Sequence, residues 1–210
     1  MLRPMIRVAC LMMVTVMASF ALAQTQFSAE IVNNDNDKEG KDTTKVYFGK
    51  EKMRFDSMSN GQHGGGAVIM DLHTQTYTVL MADQHMYMEM PAQAMENRGM
   101  FTFFESGDVE NACPEWLKLA RNTHGTCHKV GHETVNGRDT VKYEGTNSEG
   151  ESSTVWLDAK VRFPIKWQGK KDGGELRNIQ EGSQPSSLFE IPAGFTKFDA
   201  AQMMQMRQQH

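Results

Sequence analysis

Cysteine, excess charge and long hydrophobic runs are all scarce in this chain. It has 210 residues, of which only 3 are cysteine, too few for a small domain held together by several disulfides. The 22 Lys and Arg against 26 Asp and Glu leave a net charge of −4, which gives no electrostatic reason to bind nucleic acid or an anionic membrane. With 39% hydrophobic and 23% charged residues, the composition also excludes an intrinsically disordered chain.

Recognisable catalytic motifs are missing as well. The sequence has no G-x-S-x-G, no H-E-x-x-H and no phosphate-binding loop, so no hydrolase, zinc protease or nucleotide-binding site is indicated. We expect a non-enzymatic protein without a cofactor. What the chain has in excess is methionine, with 17 residues.

The N-terminus has the pattern of an export signal. Arg3 and Arg7 form a positive region, Val8 to Phe20 is an uncharged apolar run, and Ala21-Leu22-Ala23 is a cleavage motif. We therefore expect cleavage between Ala23 and Gln24 and a periplasmic or secreted mature protein. The apolar run is too short to span a bilayer, and no second run of about 18 apolar residues follows it.

Removal of the signal leaves one pair of cysteines. Cys10 lies inside the signal, so Cys113 and Cys127 remain, and an even pair in an oxidising compartment predicts a disulfide. The expected organisation is a signal peptide over residues 1–23, one antiparallel β-domain over residues 24–198, and a C-terminal helix or tail over residues 199–210.

Most of the mature sequence alternates between apolar and polar residues with a period of two, which is typical of strands with one buried and one wetter face. The clearest apolar series are Phe27, Ala29 and Ile31; Met53 and Phe55; Met86, Met88 and Met90; Val141 and Tyr143; and Val161, Phe163, Ile165 and Trp167. About ten such strands are expected, joined closely enough to be antiparallel neighbours. The predicted fold class is mainly β (α+β): a large curved antiparallel sheet or incomplete β-barrel, with a few short helices across its concave side.

Turn signals separate these runs. Asn136-Gly137 predicts a type I′ hairpin, because both residues tolerate a positive φ. Gly49-Lys50 and Gly173-Gly174 are further predicted turns. The charged stretch from Asn33 to Asp42 is a predicted loop between the first two strands.

Helical segments are few. The stretch from Pro114 to Arg121 is predicted to be helical, with Pro at an early position and apolar residues for packing. Asp199 can cap a terminal helix that runs to Met206. The stretch from Pro91 to Glu105 is predicted to be a short helix or an apolar flap, since Gly99 interrupts it.

The most suggestive segment for chemistry runs from Met81 to Met90 and is rich in Met and His. Thioether and imidazole groups suit Cu(I), so His85, Met86 and Met88 form one candidate metal site. On a strand, however, His85 and Met86 point to opposite faces, whereas Met86, Met88 and Met90 share one face. We therefore favour an apolar core or cavity lined by flexible Met side chains over a metal site.

A second group of histidines gives a weaker metal hypothesis. His124, His128 and His132 are spaced by four, which would align them on one face of a helix. Gly125 and Gly131 argue against a helix there. On a strand or turn, a common metal site for the three histidines is not expected.

A succession of short motifs marks the second half of the chain. Residues 127–144, from Cys127 through the Asn136-Gly137 turn, are followed by Val155-Trp156-Leu157-Asp158, Phe163-Pro164-Ile165-Lys166 and Leu188-Phe189-Glu190-Ile191-Pro192-Ala193-Gly194-Phe195. This order resembles the LolA-like superfamily of bacterial periplasmic proteins, and it is closest to a branch of exported single-domain proteins. The resemblance covers residues 125–195 well and residues 25–90 only in strand pattern.

The resemblance implies a fold and a class of ligand. It implies an incomplete antiparallel β-barrel with helices across its open concave side, and an apolar cavity that accepts acyl chains or lipoproteins. The lipoprotein carriers begin with a helix, whereas this mature chain begins with a predicted strand at Phe27. The candidate cavity residues in this chain are Met53, Phe55, Met86, Met88, Met90, Met95, Met100, Phe101 and Phe104.

The sequence therefore favours a periplasmic, non-enzymatic module of the bacterial envelope that binds a lipid, an acylated protein or another apolar ligand. It is not expected to span the membrane or to bind nucleic acid. Two alternatives stay open. One is a copper-binding or copper-buffering protein that uses the Met and His run, and the other is an envelope interaction protein with a filled core.

Overall fold

The computed structural model describes residues 25–33, 43–57, 66–91, 106–119, 124–146, 150–170 and 173–198. These residues form one 12-stranded sheet that is not closed, together with one α-helix, α1 (Cys113–Leu119). The strands are β1 (Phe27–Asn33), β2 (Thr43–Phe48), β3 (Lys52–Ser57), β4 (Gly66–Asp71), β5 (Thr76–Met81), β6 (Met86–Pro91), β7 (Thr126–Val135), β8 (Arg138–Thr146), β9 (Ser152–Asp158), β10 (Pro164–Gln168), β11 (Gly173–Glu181) and β12 (Thr196–Lys197). Two short 3-10 helices, Ala82–Gln84 and Ser186–Phe189, complete the described structure.

Strand β1 joins the two halves of the sheet. It pairs antiparallel with β2 on one side and with β11 on the other. From β2 the sheet continues through β3, β4, β5 and β6, and from β11 it continues through β10, β9, β8 and β7. Strand β12 pairs parallel to β6 and forms the edge of that half. The predicted mainly β fold with a large antiparallel sheet is therefore confirmed, with β12 as the parallel exception.

Two of the predicted turns lie where the sequence indicates. Asn136 and Gly137 join β7 to β8 with φ angles of 51° and 77°, the left-handed values that a type I′ turn needs. Gly49 and Lys50 lie between β2 and β3, and the Gly49 N–H donates to the carbonyl oxygen of Lys52 at 2.8 Å. Strands β1 and β2 are antiparallel neighbours, as expected for the ends of the predicted charged loop, although residues 34–42 of that loop lie outside the described residues.

The predicted turn at Gly173-Gly174 is wrong. Both residues lie in β11, where Gly174 is the cross-strand partner of Trp167 in β10. A Cβ atom at Gly174 would come within 2.4 Å of the Trp167 indole. Gly174 is therefore needed for close packing within the sheet and not for a reversal of the chain.

Helix α1 confirms the helix predicted from Pro114. Cys113, its first residue, forms the predicted disulfide with Cys127 in β7, and the two Cα atoms lie 5.5 Å apart. The cluster around the helix consists of Ala112, Cys113, Trp116, Cys127, Val141, Tyr143, Val155 and Leu157. The helix is thus attached to the sheet by one covalent bond and by apolar packing.

The expectation of a few short helices across a concave side is not confirmed. Within the described ranges, α1 is the only α-helix. The predicted terminal helix over residues 199–206 lies outside the described residues, as do residues 92–105 of the predicted flap.

Cross-strand register assigns each strand residue to one face of the sheet, because directly opposed residues point the same way. Ile31 in β1 is opposite Leu176 in β11. Gly174, two residues before Leu176 in β11, is on the same face and is opposite Trp167 of β10. Trp167 is in turn opposite Val155 of β9, and Val155 is opposite Tyr143 of β8, so these residues share one face. Helix α1 packs on Tyr143 and therefore lies on the face that carries Ile31.

The aromatic centre of the main hydrophobic core also lies on this face. The rings of Phe27 and Phe48 stack with centroids 4.1 Å apart, and the ring of Phe163 lies 4.5 Å from that of Phe48. All three side chains are buried. Since Phe163 directly precedes β10, these aromatic contacts hold the two halves of the sheet against each other.

Candidate ligand-binding face

Apolar residues line up in continuous rows across β1 to β6, because the register between these strands has no shift. The first row is Phe27, Phe48, Met53, Met70, Tyr77 and Met90, and the second is Ala29, Val46, Phe55, Val68, Val79 and Met88. A shorter third row consists of Gly66, Met81 and Met86. We call the surface formed by these rows the methionine face. It is an uninterrupted apolar strip that crosses half of the sheet.

The methionine face is buried at one end and half-buried at the other. Phe48 and Met53, at the β2–β3 end, are each only 2% exposed. In β4, β5 and β6, by contrast, every member of the three rows is only partly covered, as Val79 and Met88 illustrate. The rows therefore begin in the core and end at an apolar surface that solvent reaches.

The opposite face of the same strands is covered by the end of the described chain. Residues 182–198, which we call the strap, run across it. The cluster beneath and within the strap consists of Ala67, Ile69, Leu80, Phe189, Tyr47, Tyr87, Leu188 and Phe195. Arg54 Nη1 donates to the carbonyl oxygen of Leu188 at 2.9 Å, and β12 then pairs with β6. The motif that carries the family resemblance, Leu188 to Phe195, thus serves to cover this face.

The two faces consequently differ in how well their apolar residues are shielded. Ile69 and Leu80, on the strap side, are each 4% exposed. Met70 and Met81, their chain neighbours on the methionine face, are half-buried. Partly exposed apolar area on one side of a sheet whose other side is better covered is the property expected of a ligand or partner surface.

The structure brings together five of the nine predicted cavity residues. Met53, Phe55, Met86, Met88 and Met90 all lie on the methionine face. The other four, Met95, Met100, Phe101 and Phe104, lie outside the described residues.

Sequence reasoning missed several residues of the methionine face that lie in β4 and β5. These residues are Val68, Met70, Tyr77, Val79 and Met81. In Thr76–Met81 the signal was present, because Tyr77, Val79 and Met81 alternate with Thr76 and Thr78. The run Gly66–Asp71 is apolar on both faces, so alternation does not identify its less covered face.

His85 and Met86 point to different sides of the sheet. His85 has a left-handed φ of 50°, and its ring lies 5.7 Å from the ring of Phe195 in the strap. Met86 and Met88 lie on the methionine face. The geometry thus separates the imidazole from the thioethers of the predicted His85, Met86 and Met88 set.

A β-bulge separates two of the three spaced histidines. The register of β7 shifts between Lys129 and Gly131. As a result His128 is opposite Glu144, whereas His132 is opposite Val141, so the two histidines lie on different faces of the sheet. Among the described residues, no group of three or more His, Cys, Asp or Glu side chains is arranged to hold a metal ion.

Charged groups cluster on the face of β7 to β10 that lies away from α1. The ring of Trp156 has Lys166 Nζ 4.5 Å and Lys142 Nζ 5.2 Å from its centre, both within cation–π range. Trp156 Nε1–H donates to Glu133 at 3.0 Å. This hydrogen bond lowers the pKa of Glu133, and the nearby Lys142 lowers it further. The charges of this face therefore compensate each other around a buried aromatic ring.

A cleft of about 560 Å³ lies beside the β9–β10 hairpin, away from the methionine face. Its lining is Gly150, Glu151, Ser152, Thr154, Gln168, Gly169 and Lys170. These residues are polar or lack a side chain, and an acyl chain gains little from such a surface. The methionine face therefore remains the candidate site for an apolar ligand.

No helix in the described part of the chain has the length and apolar character needed to cross a bilayer.

No protein-family model matches the chain, and no curated protein sequence matches it. Solved structures do share its fold. An uncharacterized conserved protein from Thermus thermophilus has a TM-score of 0.54 at 9% identity, over 83% of this chain and 90% of that protein. MucB has a TM-score of 0.51 at 15% identity over 82% of this chain. The MucA/MucB complex of Pseudomonas aeruginosa gives 0.50 at 14% identity over 82% of this chain.

The match covers 59% of MucB, so this chain spans less than two thirds of that protein's length. At such low identity the likeness shows the fold alone. The chain therefore shares its fold with the Thermus thermophilus protein and with MucB.

Proposed function

We propose that this chain is a non-enzymatic binding module of the bacterial envelope, and that it holds an acyl chain of a lipid or of an acylated protein on the methionine face. The observation that carries the proposal is the contrast between the two faces of β4 to β6. The strap buries Ile69 and Leu80, whereas the rows through Val79 and Met88 end half-buried.

The dimensions and chemistry of the rows suit an acyl chain. Neighbouring strands lie about 4.8 Å apart, so the half-buried part of a row, from β4 to β6, is about 10 Å long. Each methylene group that a ligand buries contributes about 0.8 kcal/mol. Thioether side chains are flexible and polarisable and adapt to ligands of varied shape. The rows are therefore suited to a chain of methylene groups and not to one rigid ligand.

The location follows from the N-terminal pattern and the disulfide. The proposal includes export, cleavage between Ala23 and Gln24, a folded domain over residues 24–198, and a C-terminal helix or tail over residues 199–210. The Cys113–Cys127 disulfide supports an oxidising compartment. Mass determination of the protein recovered from the periplasm tests the cleavage site, and an intact N-terminus would contradict it.

A protein partner is the second candidate occupant of this surface. MucB, which shares the fold, has been solved in complex with MucA. In that reading the buried residues Phe48 and Met53 belong to a filled core, and the half-buried end of the face contacts another protein. The experiment below separates the two readings, because only the first requires uptake of free lipid.

The test compares charged and apolar substitutions at the same positions. Protein purified from the periplasm is examined by native mass spectrometry for co-purifying lipid and by uptake of a fluorescent fatty acid. Met88→Lys with Met90→Lys should abolish uptake, because two ammonium groups then lie in the rows. Met88→Leu with Met90→Leu keeps the apolar surface and should retain uptake.

Circular dichroism and thermal unfolding establish that both variants fold. If wild-type protein carries no lipid and takes up no fatty acid, lipid binding is wrong and the partner reading is favoured. If the Lys variant binds as well as the Leu variant, the ligand lies elsewhere and the assignment to the methionine face is wrong.

A further inference from the structure

Two methionines face each other across the tight connection between β5 and β6. Met81 ends β5, Met86 begins β6, and the register makes them directly opposite. The connection is fixed by the 3-10 helix Ala82–Gln84, by a hydrogen bond from His85 N–H to the Ala82 carbonyl oxygen at 3.2 Å, and by the left-handed conformation of His85. Directly opposed residues of this kind have Cβ atoms about 5 Å apart, so the two thioethers are held near each other.

A third thioether lies on the same face within reach. Met88 is two residues beyond Met86 in β6 and is diagonal to Met81, at about 7–8 Å, a distance that long side chains span. Each Met side chain has three rotatable bonds. Met81, Met86 and Met88 can therefore direct their sulfur atoms to one point without movement of the backbone.

The third row leaves access to this point, because its member in β4 is a glycine. Gly66, the partner of Met81, has no side chain that could cover the Met81 sulfur atom. Met81, Met86 and Met88 are all half-buried. The neighbouring polar residue Glu89 alternates to the opposite face, where it forms an ion pair with Lys197 of β12. The groups presented at the point are therefore thioethers and not carboxylates.

We propose that Met81, Met86 and Met88 form a binding site for Cu(I). Thioethers are soft, uncharged ligands and select Cu(I) over the harder divalent metals. The structure changes the donor set predicted from the sequence, because Met81 takes the place of His85. The His85 imidazole lies against Phe195 on the other face. This proposal does not rest on the proposed lipid-binding function, although the three side chains lie at one end of the same rows.

The experiment measures Cu(I) affinity by competition with a chromophoric Cu(I) chelator, with ascorbate as the reductant. Mass spectrometry verifies that the Cys113–Cys127 disulfide stays intact, because free thiolates would bind Cu(I) themselves. Where the N-terminal segment is retained, Cys10→Ser removes its thiol for the same reason. X-ray absorption at the copper edge identifies the donor atoms.

One Cu(I) per chain with only sulfur donors is expected for the wild-type protein. Met81→Leu and Met86→Leu should each weaken binding by about tenfold or more. Met70→Leu is the matched control, because it is the same substitution at a half-buried position of the same face, where the next partner is Tyr77. This variant and His85→Ala should bind Cu(I) as the wild type does.

Three outcomes would overturn the proposal. They are no Cu(I) binding by the wild type, a nitrogen donor together with weakened binding in His85→Ala, or equal losses in Met70→Leu and Met81→Leu. Copper binding is measured by chelator competition and lipid binding by fatty-acid uptake, so failure of the copper site and failure of the lipid site are observed separately.

Discussion

The indole ring of Trp167 lies against the backbone of Gly174, its cross-strand partner in β11. A Cβ atom at residue 174 would come within 2.4 Å of Cζ2 of the indole. Gly174→Ala therefore forces the ring or the strand to shift, and we expect a loss of about 1–3 kcal/mol in the free energy of unfolding. Urea unfolding followed by tryptophan fluorescence measures the loss and any change around the ring.

The adjacent glycine provides the control for this prediction. A Cβ atom at Gly173 would lie 3.4 Å from the Trp167 carbonyl oxygen, which is an ordinary contact. Gly173→Ala should therefore change the unfolding free energy much less than Gly174→Ala does. Equal effects of the two substitutions would show that the contact with Trp167 is not the cause.

The disulfide that joins α1 to β7 is expected to contribute measurably to stability. It closes a sequence separation of 14, and a loop of this length corresponds to about 3 kcal/mol in the chain-entropy description. The double variant Cys113→Ala with Cys127→Ala should lose about that amount in urea unfolding. A reducing agent should destabilise the wild type by a similar amount and leave the double variant unchanged, and sensitivity of the double variant to reductant would contradict this account.

The Tyr143 hydroxyl connects the sheet to the segment before α1. It donates to the Val109 carbonyl oxygen at 2.8 Å and accepts from the Ala112 N–H at 3.1 Å. Since Tyr143 and Ala112 are both buried, at 1% and 0% exposure, Tyr143→Phe leaves the Ala112 N–H without this acceptor in a place that water does not reach. We expect a loss of about 1–3 kcal/mol in unfolding free energy. Val141→Ala, in the same cluster, removes packing only and should leave the exchange protection of the Ala112 amide unchanged.

Stability should fall with acidification partly through Glu181. A hydrogen bond from Lys160 at 2.6 Å, and then one from Arg138 at 3.0 Å, lowers the pKa of Glu181. A carboxyl group whose folded pKa is depressed stabilises the fold above its unfolded pKa of about 4.3, and loses this contribution as pH falls through the folded pKa. Urea unfolding across this range should show a steeper decline for the wild type than for Glu181→Gln. Parallel declines would rule out this contribution.

Detachment of the strap should be measurable as local unfolding. Phe189 is buried in one cluster with Ile69 of β4 and Leu80 of β5, and Phe198 N–H donates to the Tyr87 carbonyl oxygen at 2.7 Å. Phe189→Ala removes the main apolar anchor of the strap, so the Phe198 amide should exchange with solvent much faster. Amides of β1, such as that of Ile31, should keep their protection. Equal loss of protection in β1 would show that the strap cannot unfold separately from the sheet.

Much of the architecture was predictable because it depends on local chemistry. The Asn136-Gly137 hairpin, the strands at Met53 and Met86, and the helix near Pro114 all follow from turn chemistry or from the period of apolar residues. The Cys113–Cys127 bond followed from counting cysteines after removal of the proposed signal. None of these inferences requires knowledge of a distant partner.

The failures concern contacts between distant residues. The sequence predicts that Gly174 is a turn residue, whereas the structure shows that the glycine makes room for the Trp167 ring. The shift of register at Val130 in β7 has no clear signal in the alternation of that segment. In each case the decisive neighbour comes from another part of the chain, so a local pattern does not contain it.

The central position of β1 imposes an order on folding. This strand can pair with β2 as soon as both have been synthesised. Its other edge stays unpaired until β11 has been synthesised. The hydrogen bond between Asn178 of β11 and Glu30 of β1 spans 148 positions in the chain. Contacts of such long sequence separation form slowly, and during this time the unpaired strand edge can form hydrogen bonds with strands of other chains. Until β11 has been synthesised, the edge of β1 that will pair with it is unpaired and can pair with a strand of another chain. A chaperone that binds the unfolded chain, or folding that begins only after the whole chain is available, would prevent such pairing.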